Sequence, residues 1–105
     1  MGQISIAAFR PHVGKEAELL AAIADRLPLL RRLGLATERA DILLRSRDGV
    51  IVSISEWTSL EAIDRAHKTP EVLALWQRFA ACCEPVRLNT LSESAEMFAT
   101  LEAVN

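Results

Sequence analysis

The chain has no tyrosine, and among its 105 residues there are only two cysteines and two histidines. With no tyrosine, no phenolic side chain is available to donate or accept a proton. Cys82 and Cys83 are adjacent, and neighbours in a helix cannot close a relaxed disulfide. They are therefore expected to be reduced, buried thiols, the usage of a cytoplasmic protein. His12 and His67 stand far apart, and no His, Cys or carboxylate spacing suits a metal, so no metal is expected. No apolar run approaches the roughly 20 residues that cross a bilayer, so no membrane partner is expected. The opening "MGQISIAAFRPH" lacks a basic stretch followed by a small-residue cleavage site, so no signal peptide is expected. Ile6 also stands where an acylation motif after Gly2 needs Ser or Thr. Excess positive charge is absent too. The 12 basic and 14 acidic residues interleave to a net charge of −2, which leaves no basic stripe for phosphates and excludes nucleic acid as an expected partner.

What is present is apolar surface. Half of the residues are hydrophobic and the mean hydropathy is +0.18. This length suits one domain over 1–105, with a core at about 3–91 and a C-terminal extension at 92–105. A domain of this size has much surface for its volume, so part of its apolar surface is expected to meet another subunit.

The elements follow from periodicity and punctuation. "QISIAAF" (3–9) reads as a strand, and Pro11 with Gly14 marks a turn. From Lys15 to about Leu33 the residues Leu19, Leu20, Ile23, Leu27 and Leu30 keep helical spacing. Pro28 is expected to kink this helix and Gly34 to end it. Asp48-Gly49 between two β-rich runs predicts a hairpin with strands at about 37–46 and 50–57. Ile42 and Leu44 fall on one face with Leu43 on the other, and Val52 and Ile54 oppose Ile51 and Trp57. Apolar groups on both faces predict a sheet covered on both sides.

Thr58 with Glu61 has capping-box spacing, and Thr69-Pro70-Glu71 marks a second helix start. Val72, Trp76, Phe79 and Cys83 share a helical face. Pro85 ends that helix, "VRLNTL" (86–91) reads as a last strand, and the tail as a short helix or a packed extension. The order is β-α-β-β-α-β, a ferredoxin-like α+β fold with helices on one face of a four-stranded antiparallel sheet. The face the helices leave open predicts a homodimer joined through the sheets.

Four stretches carry a family resemblance: "FRPHVGKEAELLAAI", the Asp-Gly hairpin, "EWTSLEAIDRAHKTPEVLALW" and "EPVRLNTL". Over about residues 3–91 they resemble the antibiotic biosynthesis monooxygenase (ABM) domain. The resemblance implies a dimeric α+β barrel. It also implies one of several activities: oxygenation of phenols or quinols without metal, flavin or other cofactor, haem degradation, or no assigned activity. The haem-degrading members place their ligand His at the position of Trp76 and a Trp at the position of Ala66. Neither residue here suits that role, so haem degradation is disfavoured. Many cofactor-free members place a His at the position of Ala66, whereas His67 follows one residue later and about 100° around a helix. The polyketide-oxygenating members also use tyrosine, which this chain lacks.

The candidate site residues follow. His67 is the candidate proton acceptor; at a helical turn's end it also suits the dipole as a simple surface cation. Trp57 and Trp76 are candidate walls for a small aromatic molecule, or else core residues. Arg39, Arg45 and Arg87 lie on predicted strands; one facing inward would bind an anionic or phenolate group, and Asn89 would add a neutral hydrogen bond. Ser53 and Ser55 share the Ile51–Trp57 face as a small polar patch. No nucleophile–base–orienter set is recognisable. The expected function is cofactor-independent monooxygenation of a small phenolic or quinol-type substrate; the alternative is a non-enzymatic dimeric binding or structural module.

Overall fold

The computed structural model describes residues 2–105. Strand β1 (Gln3–Pro11) leads into helix α1 (Glu16–Arg32), the hairpin of β2 (Ile42–Arg45) and β3 (Ile51–Trp57), helices α2 (Leu60–Ala66) and α3 (Pro70–Cys82), and strand β4 (Cys83–Val86). Two 3-10 turns, Leu88–Thr90 and Ser92–Ala95, precede a short strand β5 (Glu102–Ala103). The strands lie in the order β4-β1-β3-β2-β5 and every pairing is antiparallel. This is a ferredoxin-like α+β fold. The sheet has five strands where four are expected, because the tail returns as β5 to pair Leu44 with Ala103 and Arg45 with Glu102.

Local chemistry sets the boundaries. Helix α1 continues through Pro28, which is exposed, as is Ala24 one turn earlier. The carbonyl that loses its donor therefore lies on the solvent side, where water can satisfy it. Gly34 ends the helix with φ +74°. Its N–H donates to the Arg31 carbonyl and that of Leu35 to the Leu30 carbonyl, a Schellman motif that needs a left-handed residue here. The predicted strand 37–46 shrinks to Ile42–Arg45. The Arg31 guanidinium binds the carbonyls of Thr37 and Glu38 at 2.9 Å each, and so takes acceptors that a sheet ladder would have used.

Ser59, not Thr58, caps α2: its Oγ accepts from the Ala62 N–H at 3.1 Å. Thr58 instead donates to the carbonyls of Gly34 and Leu35. The predicted strand 86–91 shifts back to Cys83–Val86, because Cys83 is already fully extended. Pro85 is tolerated there because β4 is an edge strand.

The odd-numbered residues of β1 and β3 face the helices. Ile51 packs with Leu19, Ile23, Leu75 and Phe79 in the main core. On the opposite face Ala8, Val50 and Val52 bury Leu91 of the C-terminal segment, with Leu101 packed alongside. That face is thus partly covered by the chain's own tail. Ile4, Ile6, Ile42 and Leu88 remain exposed, the first three by more than half.

Candidate functional site

Between the helices and the sheet lies a cavity of about 520 Å³, a size suited to a small organic ligand. Its walls come from several elements. Strand β1 supplies Ser5, Ala7 and Phe9, and β3 supplies Ser53, Ser55 and Trp57, by the period of two that points alternate residues to one face. Helix α1 supplies Arg26 and Leu30, four residues apart on the stripe that includes Leu19 and Ile23. Ile63 and His67 come from α2 and its C-cap, and Trp76, Phe79 and Ala80 from α3. Cys83 and Pro85 of β4 complete the lining. The wall is mostly aromatic and aliphatic, and Phe9 and Phe79 touch with ring centres 5.2 Å apart.

The polar groups are few. Arg26 is buried, and its Nη2 donates to Asp41 Oδ2 at 3.2 Å, to Ser55 Oγ at 2.8 Å and to Ser53 Oγ. The two serine oxygens lie 3.2 Å apart, and the guanidinium sits 6.0 Å from the Phe79 ring centre. His67 is exposed and meets Trp76 edge-on, with ring centres 4.9 Å apart. Its Nδ1 lies 2.8 Å from the Ile63 carbonyl. A carbonyl only accepts, so Nδ1 carries the hydrogen, and in the neutral ring Nε2 keeps its lone pair.

Cys83 contributes no nucleophile. Burial, then the neighbouring Cys82, pushes its thiol up to about 11, and its Sγ donates to the Phe79 carbonyl at 3.1 Å. At neutral pH it is a thiol, whereas thiol chemistry needs the thiolate. Among the described residues, no three His, Cys, Asp or Glu gather into a metal-binding group. Among them, too, no helix is long and apolar enough to cross a membrane.

The cavity thus brings together His67, Trp57, Trp76, Ser53 and Ser55. The other candidates lie elsewhere. Arg39 is exposed and pairs with Glu56 at 3.1 Å, and Arg45 is held by Glu16 and Glu102. Arg87, at the N-cap of the first 3-10 turn, and Asn89, within it, are exposed. Among the described residues, the one arginine that lines the cavity is Arg26, which sequence reasoning passed over. Its signal was present: a charged residue in the helical register of Leu19, Ile23 and Leu30 must be buried with a partner or distort the helix. Asp41 is that partner, and no periodicity connects the two.

The family model described as antibiotic biosynthesis monooxygenase matches residues 3–78, from β1 to near the end of α3. No curated protein gives a significant match, and no solved structure does. The match covers well over half of the chain and includes most of the elements that wall the cavity; the chain belongs to the antibiotic biosynthesis monooxygenase family.

Proposed function

We propose that the cavity holds a small, flat, phenolic or quinol-type molecule and lets it react with dioxygen as a monooxygenase that needs no cofactor. One observation carries this reading: a 520 Å³ aromatic-walled space with a basic imidazole at its edge. Trp57, Trp76, Phe9 and Phe79 supply flat apolar surface that suits an aromatic ring. His67 Nε2 takes the proton of the hydroxyl group, and general-base help of this kind contributes typically 10²–10⁴-fold. The resulting anion is electron-rich enough to give an electron to dioxygen, and the radical pair then combines to form the C–O bond. For a ring carbon that is a methylene in its keto form, the methylene and one dioxygen molecule give a carbonyl and one water molecule. One oxygen atom enters the product, the other leaves as water with the two methylene hydrogens, and the substrate supplies every electron. The apolar walls keep water from the intermediate.

The exposed isoleucines on the far sheet face support a homodimer formed through the sheets. The exposure of His67 favours a second reading, a dimeric binding module that holds its ligand without converting it. Oxygen uptake separates the two. Incubation with a panel of anthrones and naphthohydroquinones is expected to consume oxygen above buffer, and His67→Gln to slow it by ten-fold or more. Ligand binding without uptake across the panel would leave only the binding module.

A further inference from the structure

The lining of the cavity carries a charge that oxygenation of a neutral phenol does not require. The Arg26 side chain is only 10% exposed, yet it borders the cavity. A guanidinium has five N–H donors, and all its hydrogen bonds to the chain run through Nη2. Among the described residues, Nε and Nη1 have no hydrogen-bond partner. They are also not sealed within protein, since the one fully buried, unpartnered side-chain polar atom among those residues is Asp41 Oδ1. These donors therefore keep some access to open space, and Arg26 is one of the residues that line the cavity. The serines are similarly part-used. One hydroxyl hydrogen joins the two oxygens at 3.2 Å, and each oxygen accepts from Arg26, which leaves one hydroxyl hydrogen unclaimed. Asp41 holds the guanidinium through one oxygen rather than the two-pronged pairing that would consume its fork.

The geometry points to Arg26 as the seat of a ligand oxyanion, with Ser53 and Ser55 beside it, which makes the substrate class a hydroxylated aromatic carboxylate. This rests on the proposed use of the cavity and goes further by assigning the ligand a carboxylate in addition to its reacting hydroxyl group. The ligand carboxylate takes the Nε and Nη1 donors and the free serine hydrogen. It sits nearer to the guanidinium than to Asp41, which grips Nη2, so attraction exceeds repulsion. Asp41 is a positioning residue: it fixes Arg26 against the sheet and does not reach the cavity wall. The ring then lies along the apolar wall.

Isothermal titration with three probes tests the proposal: 1-hydroxy-2-naphthoate, its uncharged amide 1-hydroxy-2-naphthamide, and 1-naphthol. Wild-type protein is expected to bind the acid at least about tenfold more tightly than the amide or the naphthol, the gain of a charge-assisted hydrogen bond. Removing the pair in R26M/D41N is expected to abolish that preference, so that acid, amide and naphthol bind within about twofold of one another. Arg26→Lys keeps a cation opposite Asp41, so it folds if the double variant does not, and it is expected to retain a reduced preference. Equal affinity for acid, amide and naphthol overturns the oxyanion seat and leaves an aromatic cavity intact. A preference for the acid that survives both variants overturns it as well, by placing the charge recognition elsewhere. No binding of any probe overturns the seat together with the cavity reading, whereas oxygen uptake reports on the oxygenase reading by itself.

Discussion

Replacing Arg26 by Met keeps a long apolar stem and removes the guanidinium, leaving the Asp41 carboxylate, 9% exposed, without its cation. Asp41 Oδ1 already lacks a hydrogen-bond partner, so the orphaned group has little else to hold it. Removing one member of a buried ion pair costs about 3–5 kcal/mol, because the charge left behind is uncompensated. Loss of the guanidinium's contact with the Phe79 face, at 6.0 Å, adds to the cost. For 105 residues at about 2.1 cal/mol/K each, the unfolding entropy is ~220 cal/mol/K, so Tm falls by roughly 14–23 °C. In R26M/D41N the stranded charge is gone, and most of the loss is expected to return. Thermal melts followed by circular dichroism of wild type, both single variants and the double variant close the cycle, with an expected coupling of about 2 kcal/mol or more. A drop below about 4 °C in R26M, with additive effects in the double variant, would refute the reasoning; a pair that weak is solvated like a surface ion pair.

Other consequences follow from single contacts. Ser59→Ala removes the oxygen that caps α2 and should cost about 1 kcal/mol, a Tm decrease of about 4–5 °C in the same melts; no change would mean that the cap is redundant. Glu93 is buried and binds the backbone N–H of Arg47 at 2.8 Å. That hydrogen bond is the leading reason why its carboxyl is held below the usual carboxylate range. A carboxyl lowered on folding stabilises the fold above its unfolded value, and that stability is lost as pH falls through the lowered folded value. Acidification below about pH 4.5 should therefore loosen the 91–105 segment first, seen as faster amide exchange there, and Glu93→Gln should flatten this pH response. On the open sheet face Ile6 is 53% exposed, and Ile6→Asp is expected to shift the protein from dimer to monomer in sedimentation velocity. A wild-type monomer at micromolar concentration would contradict the proposed dimer outright.

The sequence made some parts of this molecule legible and hid others for definable reasons. Asp48-Gly49 announces its hairpin because the turn needs a left-handed residue, and Gly49 supplies it at φ +84°. The two-sided apolar character of β2 and β3 matches a sheet covered by the helices on one face and in part by the C-terminal segment on the other. What covers the second face was only half readable: Leu91, at the end of the predicted last strand, and Leu101 of the tail supply the cover, and no periodicity in "SESAEMFATLEAVN" reveals a two-residue strand. The retreat of β2 depends on Arg31 capturing loop carbonyls, a tertiary contact that strand propensity does not contain. In the cavity, Trp57, Trp76 and His67 were legible as candidates from residue type and from their places near helix and strand ends. Arg26 was not, because its pairing with Asp41 is a tertiary contact that no spacing in the sequence contains.

The central claim is that oxygen chemistry happens inside this cavity, and blocking the cavity tests it most directly. Ala7 lies on its floor, and Ala7→Trp fills part of the space from the sheet side. The measurement is the rate of oxygen uptake with the best quinol of the panel, for wild type and Ala7→Trp at matched concentration, with melts to confirm that the variant is folded. Uptake above buffer by wild type that falls to the buffer rate in a folded Ala7→Trp protein is the predicted result. Equal rates for the two proteins would contradict it.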